Sequence, residues 1–331
     1  FLIAICVLTG ALGKLLVEFG VVNMLEKLLR PLMKPIFNLP GVAALGAVLT
    51  FLSDNPAIIT LAKDKNFSQY FKKYQMVSLT NFGTAFGMGL IVIAFMASQG
   101  FGAGAGIGLF GAVCGCVVST RLMQKFTLKA FPEYDAPFLS DEEISKLTKE
   151  ETGEETTKES TFIRTLNGIL DGGKTGVEIG LAIIPGVLVI STAVMMITFG
   201  PSGEFGEYKG VAYEGVAILP AAAGKIDFIF RWLFGFNFPE LVAFPITALG
   251  AVGAALGLVP TFVSSGFMDD NAVAVCTAIG MCWSGFLSTH TAMLDSLGYR
   301  HLISKAILAH TFGGLAAGIV AHFACLLISL F

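Results

Sequence analysis

Charge is scarce. Only 14% of the 331 residues are Asp, Glu, Lys or Arg, where a soluble domain carries roughly 25%, which argues against an ordinary cytosolic enzyme. A basic excess is also missing: 21 Lys and Arg stand against 24 Asp and Glu, a formal net charge of −3. That excludes a general nucleic-acid binder, which needs positive patches to neutralise phosphates. The six cysteines, Cys6, Cys114, Cys116, Cys276, Cys282 and Cys325, lie in apolar stretches without two spaced Cys-x-x-Cys pairs. They read as small buried hydrophobes, with neither a disulfide framework nor a zinc site. The sequence has no HExxH, no GxSxG and no metal-spaced His/Cys cluster, so no enzyme class and no cofactor is indicated. Phe1 already sits in an apolar run. It is not expected to be the natural start, and no signal peptide is read from it.

What is abundant is apolar and small. Hydrophobic residues make up 54% of the chain, with 39 Gly and 29 Phe, and the mean hydropathy is +0.76. This composition fits lipid-facing helices that pack through small residues. A bilayer crossing needs about 20 apolar residues, so the expected fold class is an all-α, polytopic membrane protein. Full spans are expected near residues 1–22, 75–97, 104–122, 176–198, 281–298 and 302–331. Residues 23–37, where Leu25, Leu28, Leu29, Leu32 and Met33 alternate with Lys27, Arg30 and Lys34, have the period of a helix lying in the interface.

Two apolar runs are interrupted. Residues 41–62 break at Ser53-Asp54-Asn55-Pro56, and residues 241–268 run into Asp269-Asp270-Asn271. A break at membrane depth leaves backbone groups unpaired, at several kcal/mol each, unless protein or a wet cavity satisfies them. A re-entrant hairpin at each place is the expected solution. Between Gln124 and Ser160 the composition turns acidic, from Asp141 to Glu159, and reads as a solvated linker between two halves.

The halves echo one another in order. Ala11-Leu12-Gly13-Lys14 matches Ala222-Ala223-Gly224-Lys225, Asn38-Leu39-Pro40 matches Asn237-Phe238-Pro239, and ALGAV occurs at both 44–48 and 248–252. Asp54-Asn55 then pairs with Asp270-Asn271, and Thr80-Asn81 with Thr289-His290. Repeats with helices broken at matching places are a transporter signature. Charge orients them. If residues 23–37, 63–74, 121–174 and 299–305 are cytoplasmic, then of the 21 Lys and Arg only Lys14, Lys209, Lys225 and Arg231 fall elsewhere. The positive-inside rule favours that topology, which makes the repeats inverted.

Two motifs are set aside. Gly168-Ile169-Leu170-Asp171-Gly172-Gly173-Lys174-Thr175 satisfies the P-loop pattern, but no strand precedes it and a membrane span follows. The alternate glycines from Gly100 to Gly108 lack strand context too. Together with Gly111 and Gly115 they suit close helix packing.

Leu28-Leu29-Arg30-Pro31-Leu32-Met33 with Phe37-Asn38-Leu39-Pro40-Gly41, followed by a polar-tipped hairpin and then Tyr70 to Gly83, resembles the nucleoside-recognition "gate" domain family. That family is related to concentrative nucleoside transporters. The closing stretch Ile307 to His322, with Gly313-Gly314, is similar to the ethanolamine permeases. The resemblance implies paired re-entrant hairpins whose tips meet near the midplane and cradle a small polar solute. It divides the chain into a first gate-like repeat (1–123), a charged cytoplasmic linker (124–168) and a second, inverted repeat (169–331).

Ionisable groups in a span cost roughly 2.5–3.5 kcal/mol on insertion scales, so those at the breaks call for a reason. Asp54, Asn55, Thr80, Asn81, Asp270, Asn271, Thr289 and His290 are the expected substrate contacts. Asp54, Asp269, Asp270 and Asp295 are the expected carriers of a coupling Na⁺ or H⁺, with no resident cofactor. The competing readings are that the acids cap the helices they precede, that the Ser and Thr residues pack between helices, and that His290 is a satisfied core histidine. His310 and His322 read as structural or interfacial. The function expected is secondary transport by alternating access in the inner membrane, as a homo-oligomer; the alternative is a membrane sensor or assembly protein. An intramembrane enzyme built on His290 and Asp295 has no nucleophile or metal set to support it.

Overall fold

The computed structural model describes residues 2–19, 21–63, 65–140, 161–185, 192–201, 207–211, 214–225 and 227–330. Among these residues there is no β-strand, and helices carry the fold. Helix α1 (Leu2–Glu18) leads into α2 (Val21–Leu32), which leaves Met24, Leu28 and Leu32 exposed and widens into a π-helical turn at Met33–Phe37. Asn38 stops it in the left-handed region, φ 55°, where Asn is among the few tolerated side chains. Its amide donates to Tyr74 Oη and to Gln124 Oε1, both at 3.1 Å, and Gln75 Nε2 donates to its carbonyl at 2.7 Å. The end of the amphipathic helix is thereby pinned to helices that follow it by more than thirty residues.

Two series of elements then run in the same order. The first is α3 (Ala43–Leu52), a break at Ser53–Asn55, α4 (Pro56–Lys63), a short turn of helix at Lys65–Ser68, α5 (Lys73–Thr84), a turn at 85–88, α6 (Gly89–Ser98) and the long α7 (Gly102–Ala130). Helix α8 (Thr161–Pro185) follows the acidic stretch. After the short helices Thr192–Thr198 and Ile218–Gly224 comes α9 (Asp227–Phe234), which opens the second series. That series is α10 (Ala243–Gly250), a break at Ala251, α11 (Val252–Leu256) with α12 (Val259–Ser264), α13 (Asp270–Trp283), a turn at Ser284–Gly285, α14 (Phe286–Ser296) and the long α15 (Ile303–Ile328). Left-handed residues recur at matching points: Asn38 and Gly235 before the hairpins, Met88 (φ 56°) and Gly285 (φ 64°) at the later turns.

The second series does not break where its sequence is most polar. Ala251 is the break, extended at φ −163° and ψ 119° in an all-apolar stretch, whereas Asp269-Asp270-Asn271 starts α13. The ALGAV echo is out of register for the same reason. It lies inside α3 in the first series but straddles the break in the second. The span expected at 281–298 is likewise two helices with a turn between them, and the one expected at 176–198 begins earlier, as α8 at Thr161, and runs into residues outside those described. The P-loop-like glycines 168–175 are helical throughout α8, so they offer no phosphate cradle.

Among the described residues three helical segments, Lys73–Ser98 (α5 and α6 together), Gly102–Ala130 and Arg300–Ile328, are long and apolar enough to cross a bilayer; a pair bent by 71°, Phe228–Phe234 with Pro239–Gly250, counts as a fourth if it is one broken span. The protein is a multi-pass membrane protein. At its centre α7, α13 and α15 pack together. Along α7, Gly104 and Gly108 lie against the α13 backbone, and Gly111 and Gly115 against that of α15. Without a hydrophobic drive between helices in lipid, such close backbone approach supplies the van der Waals contact that holds them. Helices α1 and α8 form a second pairing, crossing where Gly10 meets Gly172. Past Gln124 the chain stays helical to Ala130 and then folds back on the start of α5: Lys73 N–H donates to the Ala136 carbonyl at 3.0 Å, and Lys72 pairs with Asp135 at 2.8 Å. The acidic residues Asp141 to Glu159 lie outside the described residues.

Candidate functional site

The site forms where the break between α3 and α4 meets the turn between α13 and α14. Pro56 starts α4, and the carboxylate of Asp54 accepts the Asn55 N–H at 2.7 Å. The side chain of Asn55, 4% exposed, is thereby aimed across the bundle. Its amide donates to the carbonyl of Ser284 at 2.7 Å and to Thr289 Oγ1 at 3.2 Å. Thr289 in turn donates to the Gly285 carbonyl at 3.2 Å. A carbonyl released by a helix break is costly in a membrane, and Asn55 supplies its donor. The oxygen of the same amide, Oδ1, is buried without a partner and lies directly against Gly87, in the turn between α5 and α6.

The end of α10 reaches the same turn. The N–H of Gly285 donates to the Ala248 carbonyl at 3.3 Å, and a Cβ on Gly285 would stand 3.3 Å from the Gly250 carbonyl. Residues at both helix breaks therefore converge on Ser284–Gly285.

Behind this junction is a buried polar group. Asn81 on α5 donates to Ser119 Oγ on α7 and to the Ala306 carbonyl on α15, both at 3.0 Å. Ser119 lies 2.7 Å from His310 Nδ1, His310 Nε2 contacts the Cys282 carbonyl, and Trp283 Nε1 donates to the His310 carbonyl at 3.2 Å. The His290 ring lies 4.6 Å from that of His310 and 5.6 Å from Phe286. Both His290 ring nitrogens are buried without a hydrogen-bond partner, as are Thr80 Oγ1, Asn81 Oδ1 and Thr84 Oγ1. The Phe286 carbonyl, one turn earlier, is near the His290 ring but outside hydrogen-bond geometry.

The structure thus gathers Asp54, Asn55 and Thr289 at the junction of the helix breaks, and Asn81 and His290 around His310; Thr80, beside Asn81 on α5, is buried with its hydroxyl unpartnered. It separates the others. Asp269 caps α13, accepting the Ala272 N–H at 2.6 Å and the Asn237 amide at 3.2 Å, and Asp270 accepts the N–H of Gly104 at 3.3 Å. Asn271 donates to the Phe234 carbonyl at 2.9 Å and bonds His322 at 2.8 Å. These residues line an open cleft of about 680 Å³ with Ile107, Cys325 and Leu326, apart from the hairpin ends, because the polar triplet begins a helix instead of interrupting one. Asp295 is exposed and pairs with Arg300 at 3.1 Å. Five positions along α14 it points away from His290, so the two do not form a proton pair. Gly285 and Ser119 were not among the expected contacts, and His310 was expected to be structural or interfacial. The sole sequence signal for the turn was the Ser-Gly dipeptide at 284–285.

Among the described residues no group of three or more His, Cys, Asp or Glu could hold a metal ion. What the junction offers is hydrogen bonding: an amide oxygen, hydroxyls and an imidazole whose nitrogens are buried without a partner.

The fold of this helical membrane protein is that of a concentrative nucleoside transporter, CNTnw. Over 97% of the chain superposes on CNTnw in an inward-facing substrate-bound state, covering 74% of that protein, with a TM-score of 0.58 at 15% identity. Substituted CNTnw in an outward-facing state gives 0.60 at 15% identity and, in an intermediate state, 0.59 at 14%, with the same coverage. Within that fold, residues 1–100 match the family model described as Gate, nucleoside recognition, as the sequence resemblance implied. An uncharacterized protein of Alkalihalophilus pseudofirmus is 34% identical over 89 residues, 26% of this chain; the match spans about a fifth (19%) of that relative.

Proposed function

We propose that the protein is a secondary active transporter of a small polar solute, working by alternating access around the junction of its two hairpin ends. The observation that carries this reading is the bond from Asn55 to the Ser284 carbonyl, which ties a hairpin of one half to the broken helix of the other. Such a joint can be remade as one half moves against the other, and discontinuous helices beside a buried site are how transporters expose solute to either side. The same fold is seen in CNTnw in inward-facing, outward-facing and intermediate states.

Finer parts of the reading follow from the sequence. The repeats 1–123 and 169–331 are inverted, the linker 124–168 is cytoplasmic, and the protein sits in the inner membrane as a homo-oligomer. The solute is held by Asp54, Asn55, Thr80, Asn81, Thr289 and His290. Coupling is to Na⁺ or H⁺; the unpartnered, buried Asn55 Oδ1 beside Asp54 supports a cation there. Asp269, which caps α13, Asp270, bonded to the Gly104 N–H, and the exposed Asp295 have no part in it.

The test is uptake into proteoliposomes of radiolabelled nucleosides, amines and small acids, with and without Na⁺ and pH gradients. Uptake lost in Asn55→Ala supports transport, and uptake indifferent to both gradients refutes coupling. Solutes that raise the melting temperature but never cross would favour a sensor.

A further inference from the structure

Two histidine rings meet at a tilt of 55° in the buried group, and their surroundings differ. His310 is fully engaged, and the direction of each of its bonds can be assigned. A carbonyl oxygen only accepts, so the ring nitrogen facing Cys282 O, Nε2, carries the hydrogen. Asn81 bonds the Ala306 carbonyl and Ser119 through the same nitrogen, which fixes that amide as the donor at both. Ser119 Oγ therefore accepts from Asn81 and has its own hydrogen to give, and His310 Nδ1 lies 2.7 Å away to receive it. The run goes one way, from α5 through α7 and α15 to the last turn of α13, just before Ser284. His290, in contrast, has two buried ring nitrogens with no partner, its ring 4.6 Å from His310. A neutral imidazole has one donor and one acceptor, and leaving either unmet in a buried site is costly.

We propose that His310 is a positioning residue, locked as the Nε2–H tautomer by the chain from Asn81 through Ser119 to the Cys282 carbonyl, and that it holds the His290 ring so that its two nitrogens bind an uncharged donor-and-acceptor group of the solute. The proposal rests on the transport reading for the identity of what binds, but not for the roles of the two rings. His290 is then the specificity-determining group. A solute presenting only an anion or only a cation at this point would leave one of its nitrogens unmet.

The first tests are made on purified protein without solute, so they fail or succeed independently of any flux. His290→Phe removes two unmet polar atoms while filling the same space, and its melting temperature is expected to equal or exceed that of the unsubstituted protein. His310→Phe strands the Ser119 hydroxyl and the Cys282 carbonyl, and should melt lower by about 4 °C or more. His310→Gln, which offers an oxygen to Ser119 and an N–H to Cys282, should recover most of that loss. In ¹⁵N-histidine spectra, assigned through these variants, His310 should show a protonated Nε2 and an unprotonated Nδ1. A lower melting temperature for His290→Phe, no difference for His310→Phe, or a His310 protonated on Nδ1 would each overturn the assignment. Uridine, choline and succinate then serve as probes. Uridine alone is expected to raise the melting temperature, and His290→Phe to abolish the rise. A rise given by choline or succinate instead, one that survives His290→Phe, or none with any probe would overturn the ligand role of His290.

Discussion

Asn55 and Ser284 are 229 positions apart and joined by a 2.7 Å hydrogen bond from the Asn55 amide to the Ser284 backbone carbonyl. The bond brings the polar interruption of one helix onto the backbone interruption of another. Each break satisfies part of what the other leaves open, so neither half of the site is complete without its mate.

Asn55→Ala therefore removes the donor and leaves the Ser284 carbonyl buried and unmet, at a cost of about 1–3 kcal/mol. Asn55→Asp keeps the shape but turns the donor into an acceptor facing a carbonyl oxygen. It is expected to melt lower than Asn55→Ala despite the smaller change in volume. Thermal unfolding of the two variants in one detergent tests the order, and the reverse order would show that the bond is incidental.

Gly285 and Gly87 are expected to respond differently to a methyl group. At Gly285 the problem is chiefly conformation: φ is 64°, and an added Cβ would also stand tight against the Gly250 carbonyl at 3.3 Å, which must give slightly. Gly285→Ala should cost about 1 kcal/mol, and Gly285→Asn, whose side chain tolerates that region, should cost less. At Gly87 the backbone is ordinary, but a methyl group would occupy the place of Asn55 Oδ1. Gly87→Ala must push Asn55 away from the junction, so it is expected to abolish uptake. Calorimetry and uptake measured on all three variants separate the two effects.

Polarity was a good guide to where ionisable groups lie and a poor one to where helices break. Ser53-Asp54-Asn55-Pro56 marks the first hairpin because Pro56 lacks an N–H and Asp and Asn favour caps. Ala251 breaks the second without any such residue; its extended backbone is imposed by the packing of the hairpin end against Gly285. Met88 is left-handed although nothing in its side chain favours that conformation. Its place is set by the turn bonds Gly87 N–H to Thr84 O at 3.1 Å and Gly89 N–H to Phe86 O at 3.1 Å. The Asp269-Asp270-Asn271 triplet misled in the opposite sense. Capping residues look alike whether the helix they start follows a hairpin tip or an ordinary loop. His290 was legible as a lone imidazole in a span, but His310 could not be told from it, because the difference lies in partners from three other helices.

Asp269 supplies a direct test of capping against ion binding. Its carboxylate accepts the Ala272 N–H at 2.6 Å, three residues on, as an N-cap does. Asp269→Ala should destabilise by about 0.5–2 kcal/mol, and Asp269→Ser, another good cap, by much less. Neither should alter the Na⁺ or pH dependence of uptake. A change in that dependence with stability intact would return Asp269 to the coupling site.

Asp295 is the sharper case, because in the sequence it stands five positions from His290 in one apolar stretch and invites pairing as a proton relay. Its side chain is 51% exposed, and its partner is the 76% exposed Arg300 at 3.1 Å. A pair this open to water gains little, about 0–1 kcal/mol, because solvent screens it. Asp295→Asn is therefore expected to leave the melting temperature nearly unchanged and the pH profile of uptake where it was. Its only expected signature is a small loss of stability at low ionic strength that disappears as salt is raised. A displaced pH profile would mean that the Arg300 pair opens during transport and frees Asp295 to carry a proton.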